Sequence, residues 1–296
     1  MKGLAVIAIC LGLATGGAQA QQLANQLFGA AAAPSRQPPM PVGSYARGCG
    51  GGMVALPESG PTWQAMRLSR QRNFGQPVLV RFLQELSVAA TRVGWAGLYI
   101  GDMSQSRGGP MTSGHASHQI GLDADIWMLP PNRVNLSVTD RENLSSVAIR
   151  SDDQKSVTAA WTPAHVALLR AAASDPRVDR IFIAAAAKIE MCKSATRRDK
   201  AWLQKIRPLH GHETHFHVRL KCPAGASQCE TQTPGVAALS NNGDGCDDTL
   251  MYWVSDAYLN PPPPDLNAPK VPRVKTPREF TMADLPTQCA AVLASP

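Results

Sequence analysis

The apolar residues of this chain change their period along its length, and those changes mark out its elements. From Pro77, residues Leu79, Phe82, Leu83, Leu86, Ala90 and Val93 recur at three- and four-residue steps, with proline in the first turn and Gly94 at the end. That pattern predicts a helix. Gly97-Leu98-Tyr99-Ile100-Gly101 is short, apolar and bounded by glycines, as a strand would be. Ser104 to Gly114, with Arg107-Gly108-Gly109-Pro110, has the composition of a loop. Ala124 to Leu129 reads as a second strand, with Asp125, Trp127 and Leu129 on one face and Ala124, Ile126 and Met128 on the other. Thr162 to Ala173 carries a helix-start signature and an apolar stripe, Val178 to Ala184 reads as a strand and Ala185 to Cys192 as a short helix. Finally His215, His217 and Arg219 alternate with Phe216, Val218 and Leu220, so a last strand presents histidines on one face.

Segments without a period set the boundaries. Residues 1–20 have a charged start at Lys2, an apolar run from Leu4 to Ala14 and a small-residue exit, the form of a secretory signal peptide cleaved after Ala20. A membrane anchor is the alternative, but an apolar core of about 11 residues falls short of the roughly 20 that span a bilayer. A lipoprotein signal would put a small residue before Cys10, where Ile9 stands. Residues 21–45, rich in Gln, Ala, Pro and Ser, read as a flexible or surface-draped lead-in. The main domain is placed at 46–260. A proline-rich extension at 261–296 forms no packed element through Pro277, but Cys289 implies that it is stapled back.

Loss of the signal removes Cys10 and leaves Cys49, Cys192, Cys222, Cys229, Cys246 and Cys289. An even set in an exported chain argues for disulfides and maturation in an oxidising space. Zinc thiolates are the competing reading; the cysteines avoid the histidine-rich segments, and Cys222 and Cys229 are too far apart for a CxxC knuckle. The net charge of +7 falls by one when Lys2 leaves, which suits an anionic polymer or equally simple solubility. Lys and Arg are dispersed, so no nucleic-acid partner is expected. No later apolar stretch spans a membrane.

Six of the seven histidines fall in two short segments, 114–125 and 210–217. Imidazole is the commonest metal ligand, and catalytic zinc takes three protein ligands with a fourth position for water. His118, Asp125 and His217 fit that count, with the Gly121 turn curling the chain so that His118 and Asp125 meet one ion. Two histidines and one carboxylate leave the ion positive enough to ionise water near neutral pH.

Ser117-His118-x-x-Gly121-x-Asp123-x-Asp125, followed by His215-x-His217, resembles the zinc site of lysostaphin-type peptidases, D-alanyl-D-alanine metallopeptidases and hedgehog domains. With the flanking residues from Ser113 to Trp127 and from Gly211 to Leu220, the likeness narrows to the penicillin-insensitive murein endopeptidases and runs from about Cys49 to Cys289. The resemblance implies an α+β fold, with a small antiparallel sheet carrying the zinc site among helices and disulfide-stapled loops. It implies a periplasmic zinc peptidase that uses activated water on the D-alanyl to meso-diaminopimelyl cross-link of peptidoglycan stem peptides and resists β-lactams. Carried over by position, His118, Asp125 and His217 hold one catalytic Zn2+, and His215 is general base or transition-state stabiliser. It also implies the disulfides Cys49–Cys289, Cys192–Cys246 and Cys222–Cys229.

Two departures stand out. Related dipeptidases place a catalytic Glu three residues before the last ligand, where this chain has Thr214, with Glu213 one step earlier. His212 and His215 are therefore the better acid/base candidates. Some endopeptidases hold a second metal with the equivalent of His115 and a downstream Asp and His. Here Asp152 and Asp153 are present, but Lys155 and Ser156 follow where the histidine would stand, which argues against a second ion. Asp123 reads as a support for His118 or a cap of the turn rather than a ligand, His165 as a helix-surface or packing residue and His210 as a loop histidine bonded to backbone. Arg107 and Arg219 could hold a substrate carboxylate or serve structural roles. The rival functions are a non-catalytic zinc-bearing cell-wall binding module and a D,D-carboxypeptidase or dipeptidase.

Overall fold

The computed structural model describes residues 22–265, 269 and 272–296. The signal-peptide expectation for 1–20 lies outside the described residues. Strands β1 (Met40–Ser44) and β2 (Arg47–Gly51) form an antiparallel hairpin, and β3 (Val54–Ala55) pairs with β6 (Phe74–Gly75). The main sheet contains β4 (Ser59–Gly60), β5 (Trp63–Ala65), β7 (Leu98–Ile100), β8 (Asp123–Trp127), β9 (Val178–Ile183), β10 (Ile206–Pro208) and β11 (His215–Leu220). Their spatial order is β10-β9-β11-β8-β7-β5-β4. The sheet is larger than the small antiparallel one expected, and it is mixed: β10/β9 and β5/β7 run parallel, while the central pairs run antiparallel. Two- and three-residue edge strands are too short to leave a period in the sequence, which is why they escaped it.

Helix α1 (Ala24–Gly29) precedes the hairpin, and α2 (Pro77–Thr91) is the long helix of the fold. Proline at its first position needs no N–H partner there, and Gly94 adopts φ 87° just beyond its end. Leu79, Phe82, Leu83 and Leu86 are buried, each stabilising by about 1.5–3 kcal/mol on transfer from water. Next come α3 (Val138–Asn143), whose Ser137 and Asp140 form a reciprocal N-terminal cap, α4 (Pro163–Ser174) and α5 (Ala185–Lys193). Helices α2 and α4 pack together, and α4 covers β9. His165 is a packing residue: its Nε2 lies 2.8 Å from the Met128 carbonyl, and its Nδ1 accepts from the Thr162 N–H at 3.2 Å.

Phe216, Val218 and Leu220 on β11, with Ala124 and Ile126 on β8, face the main core. A smaller cluster joins the two ends of the chain: Ala24 and Phe28 pack with Val42, Cys49, Phe280, Leu285, Cys289 and Val292. The stretch read as a flexible or draped lead-in thus contains a helix with a fully buried phenylalanine. The disulfides are Cys49–Cys289, Cys192–Cys246 and Cys222–Cys229. Among the described residues no helix is long and apolar enough to cross a membrane.

Candidate metal centre

Strands β8 and β11 lie side by side at the middle of the sheet, with His217 opposite Asp125, Arg219 opposite Asp123 and His215 opposite Trp127. Period-two alternation puts all six on the face away from the core. His118 arrives from the loop before β8 in a left-handed conformation, φ 66°, strain that a packed surrounding must hold in place. Gly121 makes the following turn at φ 74°, where an added Cβ would lie 2.4 Å from the Met53 sulfur.

These routes converge on the Asp125 carboxylate. Its Oδ1 lies 3.4 Å from His118 Nε2 and 3.3 Å from His217 Nδ1. Its Oδ2 lies 3.5 Å from His115 Nδ1 and 3.6 Å from His215 Nε2. Ligand atoms about 2.0–2.2 Å from one tetrahedral ion lie roughly 3.3–3.6 Å from each other, so this spacing fits a metal. His118, Asp125 and His217 are all buried, yet both ring nitrogens of His118 and Asp125 Oδ1 have no hydrogen-bond partner among the described residues. Orphaned buried groups of this kind cost free energy unless an ion takes them up. The group formed by His115, His118 and Asp125 can hold a metal ion.

Carboxylates outside the cluster set the ring orientations. Asp102 Oδ2 lies 2.9 Å from His115 Nε2, which directs His115 Nδ1 to the centre. Asp123 lies 3.2 Å from His217 Nε2, accepts the His118 backbone N–H at 3.0 Å and takes two bonds from Arg219 at 2.8 and 2.9 Å. At His115 this is the carboxylate–histidine arrangement that fixes tautomer and ring orientation at metal sites, while at His217 the Asp123 carboxylate acts through its charge, 3.2 Å from a ring nitrogen that has no hydrogen-bond partner among the described residues. Burial pushes the Asp123 carboxyl up, but Arg219 and His217 outweigh it and hold it well below the usual range. The Asp125 carboxyl is likewise low despite burial, because His215 and His118 surround it. Burial, with His115 second, brings His118 down to about 4, so its ring is neutral and able to ligate. His115 is raised against the effect of burial by its bond to Asp102 and by the charges of Asp125 and Asp102.

His212 and His215 stand beside the donors with ring centroids 4.9 Å apart. His212 Nδ1 donates to the His210 carbonyl at 2.9 Å, so Nε2 keeps its lone pair. Burial, then His215 and His217, brings His212 down to about 4. Glu213 lies 3.9 Å from Arg150 and has no ion pair with the cluster among the described residues.

For three side chains the sequence left alternative roles open. His115 does not reach toward Asp152; it joins the central group, while Asp152 is exposed in a turn. Arg107 is not turned to substrate: its Nε donates to the Ala33 carbonyl and its Nη1 to the Leu293 carbonyl. Arg219 is committed to Asp123, with Tyr45 stacked 4.1 Å from its guanidinium. Two site residues were missed. Asp102 follows a strand and a glycine, which was the available signal; Arg67, which lines the same cleft as His115, Asp125 and His215, left none.

A buried, unpartnered His/His/Asp set with uncoordinated histidines at its rim defines the class: a metal-dependent hydrolase centre on a mixed sheet. The model of the penicillin-insensitive murein endopeptidase family matches residues 41–294. Proteins named penicillin-insensitive murein endopeptidase are similar over most of the chain. That of Haemophilus influenzae is 39% identical over 86% of this chain and 83% of its own. That of Klebsiella pneumoniae subsp. pneumoniae is 40% identical over 85% of each, and one from Escherichia coli K12 is 38% identical over 85% of each. The chain belongs to the penicillin-insensitive murein endopeptidase family.

Proposed function

We propose that the protein is a zinc-dependent D,D-endopeptidase of the periplasm that hydrolyses the D-alanyl to meso-diaminopimelyl cross-link of peptidoglycan, on a fold of the hedgehog and D-Ala-D-Ala metallopeptidase kind. The observation that carries this reading is the convergence of unpartnered His118 nitrogens and Asp125 Oδ1 at ligand spacing, in a chain of this family. His118, Asp125 and His217 would hold the ion, with His115 a further donor. Bound there, zinc supplies a Lewis acid that polarises the scissile carbonyl and acidifies water. His215, facing Asp125 from the rim, takes the proton of the attacking water. His212, neutral and in ring contact with His215, passes it toward the leaving amine.

One open cleft borders this histidine pair, lined by Arg67, Trp127, Ser145 and His215, and it offers room for a stem peptide beside the donor cluster. Three disulfides support maturation in an oxidising compartment. The test is incubation of the zinc-loaded chain with purified cross-linked muropeptide dimers, followed by mass spectrometry. Dimers should become monomers, with the conversion lost in His217→Ala and under chelation but untouched by penicillin. Intact dimers that still bind would replace this reading with a recognition module.

A further inference from the structure

Arg67 and Arg70 line the cleft, with Arg72 behind Asp102, and the three cations are not equivalent. Arg70 and Arg72 both bond Asp102 Oδ2, at 3.1 and 2.9 Å, and that oxygen also lies against His115. Those two charges are used in holding the support of a metal-facing histidine. Arg67 makes no ion pair or side-chain hydrogen bond among the described residues, though it lines the cleft with His115, Asp125 and His215. Glu142, whose carboxyl is lowered first by its bond to the Ser69 backbone N–H and also by the charge of Arg67, has both oxygens on Ser69, at 2.7 and 2.9 Å. The guanidinium is carried instead over the indole of Trp127, 5.5 Å from the ring centroid.

The backbone is shaped to hold it there. Arg67 has φ 57° and ψ 47°, a left-handed conformation that a non-glycine residue adopts only under strain and that clusters at binding sites. The Arg67 N–H is fixed by the Arg141 carbonyl at 3.2 Å, at the end of a buried arginine on α3. Trp127 stands opposite His215 and two residues beyond Asp125 on one strand face, roughly 7 Å along β8. A free planar fork of donors, braced on an aromatic face two residues along the strand from the donor cluster, matches a carboxylate in bidentate geometry.

We infer that Arg67 determines specificity by holding a free α-carboxylate of the substrate next to the scissile amide. This rests on the function proposed above. When D-alanine acylates the amine at one centre of meso-diaminopimelate, that same centre carries a carboxyl group, one carbon from the scissile nitrogen. The anion therefore accompanies every bond of this type, and Arg67 reads the acceptor stem on the Trp127 side.

The test pairs an enzyme change with a substrate change. Two cross-linked dimers are compared, one with that carboxyl free and one with it amidated, using the zinc-loaded wild type and Arg67→Gln. Binding of the corresponding free and amidated diaminopimelyl tripeptides is measured by calorimetry on the same proteins, with zinc content determined alongside. Wild type should prefer the free acid by about 10–100-fold in kcat/KM and bind its tripeptide correspondingly more tightly. Arg67→Gln should keep its zinc and lose the preference, its rate falling far more on the free-acid dimer than on the amidated one. A preference that survives in Arg67→Gln, or an equal loss on both substrates, would overturn the assignment. Absence of wild-type preference would overturn it without any variant. Failure of wild type to cut either dimer would instead remove the endopeptidase reading on which it stands.

Discussion

Asp123 shows how one residue can govern a site that it does not enter. It is fully buried and engages the His118 backbone, the far nitrogen of His217 and the Arg219 fork. Asp123→Asn keeps the shape but removes the charge that directs His217 Nδ1 inward. Metal affinity should fall about 10–100-fold, measured by competition with a chromophoric chelator. The buried Arg219 would lose its counter-charge, so stability should drop by about 3 kcal/mol in urea unfolding. Unchanged metal affinity in a folded variant would show that His217 is oriented by its strand alone. That His118, Asp125 and His217 lie close together was legible in the sequence, because two of them sit on strands whose alternation fixes a face. Asp102 and Arg67 were not: each stands at the end of a short strand, and what they meet depends on how β5, β7 and β8 are laid side by side. His115 was legible as a donor but not in its partner, since proximity to Asp125 comes from the loop's curl.

At the scale of elements, α5 carries a lysine where its pattern asks for an apolar side chain. Lys188 is fully buried, and its ammonium donates to the Leu203 carbonyl at 2.5 Å and the Asp244 carbonyl at 2.8 Å. It ties α5 to the loop before the Cys192–Cys246 bridge. Burial, with Arg207 second, brings it from 10.5 down to about 7. Between those values the unfolded chain binds more protons than the folded one, so this group's contribution to stability rises with pH there. Below about 7 both states are charged and the burial cost stands in full. Stability should therefore climb from pH 7 to 9 on the order of 1 kcal/mol per unit, and Lys188→Met should flatten the slope. Urea midpoints at pH 7, 8 and 9 decide it; parallel pH profiles for the two proteins would rule out Lys188 as the source. The elements themselves were mostly visible beforehand, because α2, α4, β8, β9 and β11 are long enough to show a period. The parallel pairings were invisible, because β5 and β10 are three residues each and leave no period from which a strand or its partner could be placed.

Over the whole molecule, the two ends of the chain brace the loop that delivers the histidines. Cys49 on β2 is bonded to Cys289 in the helix Gln288–Ala294, 240 residues away. From that joint, Arg107 reaches the carbonyls of Ala33 and Leu293, its own carbonyl accepts the Gly50 N–H at 3.0 Å, and Gln119 accepts the Gly48 N–H at 3.0 Å. The Ser104–Gln119 stretch, with His115 and His118 in it, is thus pinned by the hairpin, the amino-terminal segment and the last helix. The double substitution Cys49→Ser with Cys289→Ser should cost about 2–5 kcal/mol of stability. It should also speed amide exchange across residues 104–119 and weaken metal binding, because the ligand loop loses its brace. Opening Cys192–Cys246, which ties α5 to a distant loop, should lower stability while leaving exchange at 104–119 unchanged. Hydrogen exchange read by mass spectrometry on both variants separates these outcomes. If the ligand loop stays protected without Cys49–Cys289, the termini stabilise the fold but do not set the geometry of the metal centre.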